Sequence, residues 1–174
     1  MALSDLPDWH VESLPDLVDV EETGATFLEN ATLKATHYSR LIEGLVLADD
    51  SGLCVHALDD RPGVHSARYA PSTEERNQRL LEELAALGPA ADRGAAFFCA
   101  FAVARAGTVM WTVQSDLRGR IATEPAGEFG FGYDPIFVVS SEGKTLAQMS
   151  APEKNRVSAR GKALQELRTF LVAR

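Results

Sequence analysis

The chain has 174 residues, 45% of them apolar and 24% charged, the values of an ordinary globular domain, which exclude collagen, coiled coil and bulk disorder. Seventeen bases face 25 acids, a formal net charge of −8, which argues against a protein that coats nucleic acid. No apolar run approaches the roughly 18 residues of a membrane span, and the start lacks the basic and apolar regions of a signal peptide, so the chain reads as a single cytoplasmic domain over residues 1–174 with no membrane partner.

The charge is unevenly placed. Residues 1–30 hold eight acids and no Lys or Arg, the rest is balanced, and from Ser141 onward the balance turns positive. A solvated acidic face accounts for this. So does a small anion held between cations, with a metal on the acidic side.

Trp9 to Leu14 is a short strand candidate, followed by an acidic loop. Thr26 to Glu43 predicts a helix, opened by a Thr26/Glu29 capping box. Its apolar stripe is Phe27, Leu28, Ala31, Ala35, Tyr38 and Ile42, with Asn30 and Lys34 on the more polar side. Gly44 closes it. Leu45 to Ala48 reads as a buried strand and Leu53 to Leu58 as a second, with Asp49-Asp50-Ser51-Gly52 between them. Ser72 to Leu87 is a helix stopped by Gly88-Pro89. Ala95 to Ala104 and Thr108 to Ser115 form an antiparallel hairpin across Ala106-Gly107. A Gly-rich loop, Gly127 to Pro135, precedes a strand at Ile136 to Val139. A last helix runs from about Pro152 to the end, with Leu164, Leu167, Phe170 and Leu171 as its apolar face. Helices and strands mix without strict alternation, which predicts an α/β or α+β domain with a mixed sheet. Cys54 and Cys99 lie in apolar stretches and read as core residues. The four histidines are scattered, and no Cys or His spacing matches a zinc site.

Four places could carry chemistry. In LVLADDSG (45–52) a strand ends on two adjacent carboxylates. Neighbouring strand residues point to opposite faces, so Asp49 and Asp50 need not share a task. One could hold Mg²⁺ or deprotonate a water while the other pins the turn, although a self-capping Asp-Ser turn explains the same residues. Glu22 precedes the first helix, where the dipole stabilises it, and it could also serve as a second metal carboxylate, with Glu29, Asn30 and Lys34 projecting toward the same cavity. The loop GEFGFGYDP (127–135) lacks the spacing of a Rossmann or P-loop. Its glycines permit close backbone approach, and Phe131, Tyr133 and Asp134 could stack on and bond to a base, or pack as a turn. Lys154, Arg156 and Arg160 open the last helix as a cationic cluster.

The stretches EETGATFLENATLKA (21–35), ADDSGLCVHAL (48–58), PGVHSARYA (62–70), EPAGEFGFGYDPIF (124–137) and SEGKTLAQMSAPEKNRVSARGKAL (141–164) resemble, in order and spacing, the inosine/xanthosine triphosphate pyrophosphatases. The likeness covers nearly the whole chain after residue 20. It implies an elongated two-lobed α/β fold around a central mixed sheet, and a homodimer. It implies hydrolysis of ITP, dITP and XTP between the α and β phosphates, to monophosphate and pyrophosphate, with Mg²⁺ as cofactor. It assigns Asp50 as general base and metal ligand, Glu22 as a further metal ligand, and Lys34 as the catalytic lysine facing the phosphates. Ser51 becomes a substrate contact, Phe131, Gly132, Tyr133 and Asp134 the nucleobase loop, and Lys154 and Arg160 the cations that reach base or phosphate.

Three departures from the family pattern stand out. The family opens with a strand, a Ser/Thr-Gly-Asn turn and a Lys-bearing helix, of which Met1 to Leu6 resembles only the end. The chain is therefore expected to be incomplete at its N-terminus by roughly 15–20 residues. Ala159 stands where a His is usual before Arg160, and His65 where an aromatic is usual. A nucleotide-binding remnant without useful turnover is the competing reading, and a metal phosphatase releasing orthophosphate is a third.

Overall fold

The computed structural model describes residues 10–13 and 20–173. Met1 to Leu6 and both ends of the Trp9–Leu14 strand candidate lie outside them, and residues 10–13 take no regular structure. Among the described residues there are four helices, α1 (Phe27–Tyr38), α2 (Thr73–Ala86), α3 (Ala151–Val157) and α4 (Ala159–Val172), and four strands, β1 (Val46–Val55), β2 (Gly94–Arg105), β3 (Thr108–Ile121) and β4 (Phe137–Val139). The mixture of helix and sheet is the expected one. The sheet runs β1-β2-β3-β4, and every pairing among these strands is antiparallel. No helix among the described residues is long and apolar enough to cross a membrane.

Two helix starts follow the sequence signals. Thr26 and Ser72 each accept a bond from the backbone three residues on, and Glu29 and Glu75 reach back, completing two capping boxes. The first helix ends earlier than expected. The Ser39 hydroxyl donates to the Thr36 carbonyl and accepts from Gly107 N at 3.0 Å, tying the helix end to the β2–β3 turn. A side chain that bonds the backbone in this way competes with the helical ladder, and the helix stops at Tyr38.

The largest departure is in β1. Asp49 to Gly52, expected as a turn at a strand end, lies in the middle of one ten-residue strand, paired with Phe101, Ala100, Cys99 and Phe98 of β2. The ladder satisfies the backbone, and side chains on both sides of the sheet satisfy the carboxylates, so tertiary contacts override turn propensity. The last helix is likewise two helices. Ser158 is extended (ψ 151°) and caps α4 through Gly161 N, which breaks the run after Val157.

The strand alternation divides the molecule. On one face of the sheet, Phe27, Ala31 and Ala35 of α1 pack on Cys54, Ala100, Ala102 and Ala104. On the other, Leu53, Val55, Cys99, Phe101 and Val103 meet Leu80 and Leu84 of α2 and Ala163, Leu167 and Leu171 of α4. Both cysteines are buried and free, and burial pushes their thiols up to about 11.

Candidate active site

Asp49 and Asp50 face opposite sides of the sheet, as their spacing requires. Asp50 points to the α1 side. Asn30 Nδ2 donates to Asp50 Oδ2 at 3.0 Å and Ser51 N to Oδ1 at 3.0 Å, and Lys34 Nζ lies 4.0 Å from Oδ1. Lys34 also donates to Glu22 Oε1 at 2.6 Å, while Arg68 reaches Glu22 Oε2 at 3.4 Å. Glu22, Lys34 and Asp50 therefore form one cluster, assembled from the segment before α1, one face of α1, and β1. Burial pushes the Asp50 carboxyl above the usual carboxylate range, against the Asn30 bond and the Lys34 charge. The hydrogen bond from Lys34 holds Glu22 below its ordinary value.

Two helix residues behave differently from the sequence reading. Glu29 is spent on the cap, accepting from Ala25 N and Thr26 N, and does not enter the cluster. Asn30 is not on a polar side: it is fully buried, accepting from Gly24 N at 2.8 Å while donating to Asp50. It links the segment carrying Glu22 to the strand carrying Asp50.

Gly52 lets this side close. A Cβ there would stand 2.5 Å from Ser66 Oγ, 2.6 Å from the Gly63 carbonyl and 2.8 Å from the Phe27 ring. The turn at Gly63–Arg68 can thus lie against β1, with Ser66 Oγ accepting from Leu53 N at 2.9 Å. His65 is exposed and accepts weakly from Arg68.

The other face of the sheet holds a cavity of about 630 Å³. Its walls include Ser51, Phe97, Cys99 and Leu117 from the sheet, the loop from Phe129 to Asp134, and Lys154, Ala159 and Arg160. The loop is held from within. Asp134 is buried, accepts from Phe131 N at 2.7 Å, and pairs with Lys154. Gly130 has φ +82°, and a Cβ there would collide with the Asp134 carboxylate, so this position needs glycine. Asn77 Nδ2 donates to the Gly132 carbonyl at 3.1 Å, and the buried Tyr133 hydroxyl donates to the Ser66 carbonyl at 2.9 Å. Tyr133 is a strut of the loop rather than an open stacking surface. Phe131 is the open one, 73% exposed, with the Lys154 ammonium 4.4 Å from its ring centre. Lys154 belongs to α3, and Arg160 to the first turn of α4, where its Nη2 donates to Asp49 Oδ2 at 2.6 Å and approaches Ser51 Oγ at 3.3 Å.

The structure thus groups the ten expected residues into two sets. Glu22, Lys34 and Asp50 sit on one face of the sheet. Ser51, Phe131, Gly132, Tyr133, Asp134, Lys154 and Arg160 sit on the other. The sets meet at the peptide between Asp50 and Ser51. Sequence reasoning missed Arg68, Ser66 and Asn77. Asn77 did leave a signal, as a polar residue in the same helical stripe as the buried Leu80 and Leu84.

Among the described residues no three His, Cys, Asp or Glu side chains converge as a metal site. Two carboxylates, Glu22 and Asp50, do converge around one ammonium. Hard oxygen ligands in that number fit Mg²⁺, which typically takes one or two protein carboxylates and completes its shell with water and substrate phosphate.

The Ham1 family model matches residues 2–170. The chain is 51% identical over 156 residues to the dITP/XTP pyrophosphatase of Geobacillus kaustophilus, covering 88% of this chain and 76% of that one. It is 46% identical over 159 residues to the dITP/XTP pyrophosphatase of Thermosynechococcus vestitus, covering 91% and 80%. The solved structure of a HAM1 protein from Coxiella burnetii superposes with a TM-score of 0.85 at 44% identity, covering 90% of this chain and 82% of that one. With the family model matching residues 2–170 and a curated relative 51% identical over 156 residues, this chain belongs to the Ham1 family.

Proposed function

We propose that this protein hydrolyses non-standard purine nucleoside triphosphates, ITP, dITP and XTP, to the monophosphate and pyrophosphate. The observation that carries the reading is the two-sided site. A largely apolar cavity roomy enough for a purine on one face and a carboxylate–lysine cluster on the other meet at adjacent residues, so one ligand can bridge them. Phosphoryl transfer asks chiefly for charge neutralisation and an aligned nucleophile. Lys34 supplies a fixed cation. Asp50, half-buried and with its carboxyl raised by that burial, is placed to take the proton of the attacking water on a carboxylate oxygen. Glu22 and Asp50 would hold Mg²⁺, which when bound neutralises the phosphate oxygens.

Selectivity follows from donors in the cavity. A purine with a keto group at C6 accepts a hydrogen bond there, whereas adenine offers a donor. Arg160 and Lys154 carry only donors, so an adenine in this cavity leaves both partners unpaired. A cytoplasmic homodimer completes the proposal, in keeping with the house-cleaning of a nucleotide pool.

The test is product analysis with ITP, XTP, dGTP and ATP, with and without Mg²⁺. Inosine monophosphate plus pyrophosphate from ITP, little product from ATP, and silence after chelation are expected. Orthophosphate as the first product, or binding without turnover, sinks the reading. Light scattering tests the dimer.

A further inference from the structure

We propose that Asp49 is a positioning residue for nucleobase selection, acting through Arg160; the inference takes its substrate class from the proposed function. Arg160 lies in the first turn of α4, where the positive end of the helix dipole disfavours a cation. It is held there by a carboxylate 111 residues away, with Nη2 at 2.6 Å from Asp49 Oδ2. The same nitrogen approaches Ser51 Oγ at 3.3 Å. Both N–H bonds of Nη2 are thereby directed at β1. The remaining donors are on Nε and Nη1 of a guanidinium that lines the cavity.

Two consequences follow. The guanidinium plane is fixed by a rigid strand rather than left to the rotamers of a long side chain, which lowers the entropy lost when it meets a ligand. Its charge is also compensated, as that of Lys154 is by Asp134. Around these two cations the cavity therefore offers hydrogen-bond donors with little net charge. That combination suits a neutral keto base better than a phosphate. Asp49 touches neither the Glu22–Lys34–Asp50 cluster nor, by this reading, the substrate. It sets where Arg160 points.

The experiment is calorimetric titration of inosine monophosphate and adenosine monophosphate into the intact protein and its Asp49→Ala, Arg160→Ala and doubly substituted variants. The intact protein is expected to prefer the inosine nucleotide. Asp49→Ala should lower that preference about tenfold, the scale of one charge-assisted hydrogen bond. The double variant should be no worse than Arg160→Ala alone, because the two residues act as one unit. Asp49→Asn keeps the volume and one acceptor oxygen, and it replaces the alanine variant if that one does not fold; a loss of about threefold is expected from it, the smaller figure reflecting a neutral acceptor in place of a charged one. Losses that multiply in the double variant, an unchanged preference in the Asp49 variants, or no preference in the intact protein overturns the inference. ITP turnover is measured in parallel. A preference for the inosine nucleotide without turnover sinks the proposed hydrolase and leaves the role of Asp49 standing.

Discussion

The two faces of β1 are built from different residues, and each construction suits what it holds. The α1 face is lined with alanine: Ala31 and Ala35 on the helix, and Ala100, Ala102 and Ala104 on the neighbouring strand, all fully buried. Small side chains let a helix lie close to a sheet, and the close approach carries Asn30 and Lys34 to within hydrogen-bonding and ion-pairing reach of Asp50. The opposite face carries Phe97, Phe101, Trp111 and Phe137, with ring pairs such as Phe97–Phe137 at 4.7 Å between centres. Of these rings Phe97 lines the cavity, together with Leu117, Leu146 and Met149. Side-chain size thus assigns charge convergence to one side and a binding volume to the other.

If that division is real, the two faces can be disabled separately. The largest effect belongs to Asp50→Asn. The amide keeps the shape and can still accept from Asn30, but it cannot take a proton. Loss of a general base costs on the order of 10²–10⁴ in rate, so kcat for ITP should fall by about a thousandfold. Inosine monophosphate, whose base is proposed to enter the cavity on the other face, should bind within about threefold of its affinity for the intact protein. Near-normal turnover removes the base assignment. Parallel loss of nucleotide binding breaks the separation of the faces.

Much of this division is legible in the sequence. The capping pair Thr26/Glu29, the Phe27–Ala31–Ala35 stripe and the Ala106-Gly107 hairpin are local signals with local causes, and each of these features appears where it is expected, although the first helix stops short at Tyr38. The opposite aims of Asp49 and Asp50 follow from strand geometry alone. What was not legible depends on partners far away in the chain. Asp49 to Gly52 reads as a turn because nothing nearby shows that Asn30 and Arg160 will satisfy its carboxylates across 20 and 111 residues. Asn30 reads as surface because its buried partners, Gly24 N and Asp50, come from separate elements. The break at Ser158 hides inside a continuous helical pattern. It shows only once the serine hydroxyl is seen to cap a second helix.

A smaller effect tests the cavity side. Phe131 stands at the mouth, largely exposed, with its ring already against the Lys154 ammonium. Stacking of a base on an aromatic ring contributes about 1–3 kcal/mol. Phe131→Ala should therefore raise the dissociation constant of inosine monophosphate roughly tenfold, and KM for ITP with it, while kcat moves far less. A change confined to kcat would place Phe131 in the chemistry and contradict the division.

The smallest effect concerns the link between the faces. The Gly63–Arg68 turn receives Tyr133 on its Ser66 carbonyl and sends Arg68 to Glu22, so it touches both sets. Burial raises the Tyr133 phenol well above its ordinary value, and burial with the bond to Glu83 pushes Tyr69 up to about 12. A raised phenol pKa means that the folded state keeps protons the unfolded chain has already released. The stability these groups add is complete below about pH 10, the unfolded value, and is lost as pH climbs toward the folded values. Urea midpoints should fall across that window, and phenolate absorbance should develop late. Tyr133→Phe removes one hydrogen bond, a loss of about 1 kcal/mol at neutral pH, and should flatten part of the alkaline decline. If the variant declines as steeply as the intact protein, Tyr133 is not what fastens the nucleobase loop to the turn beside the carboxylates.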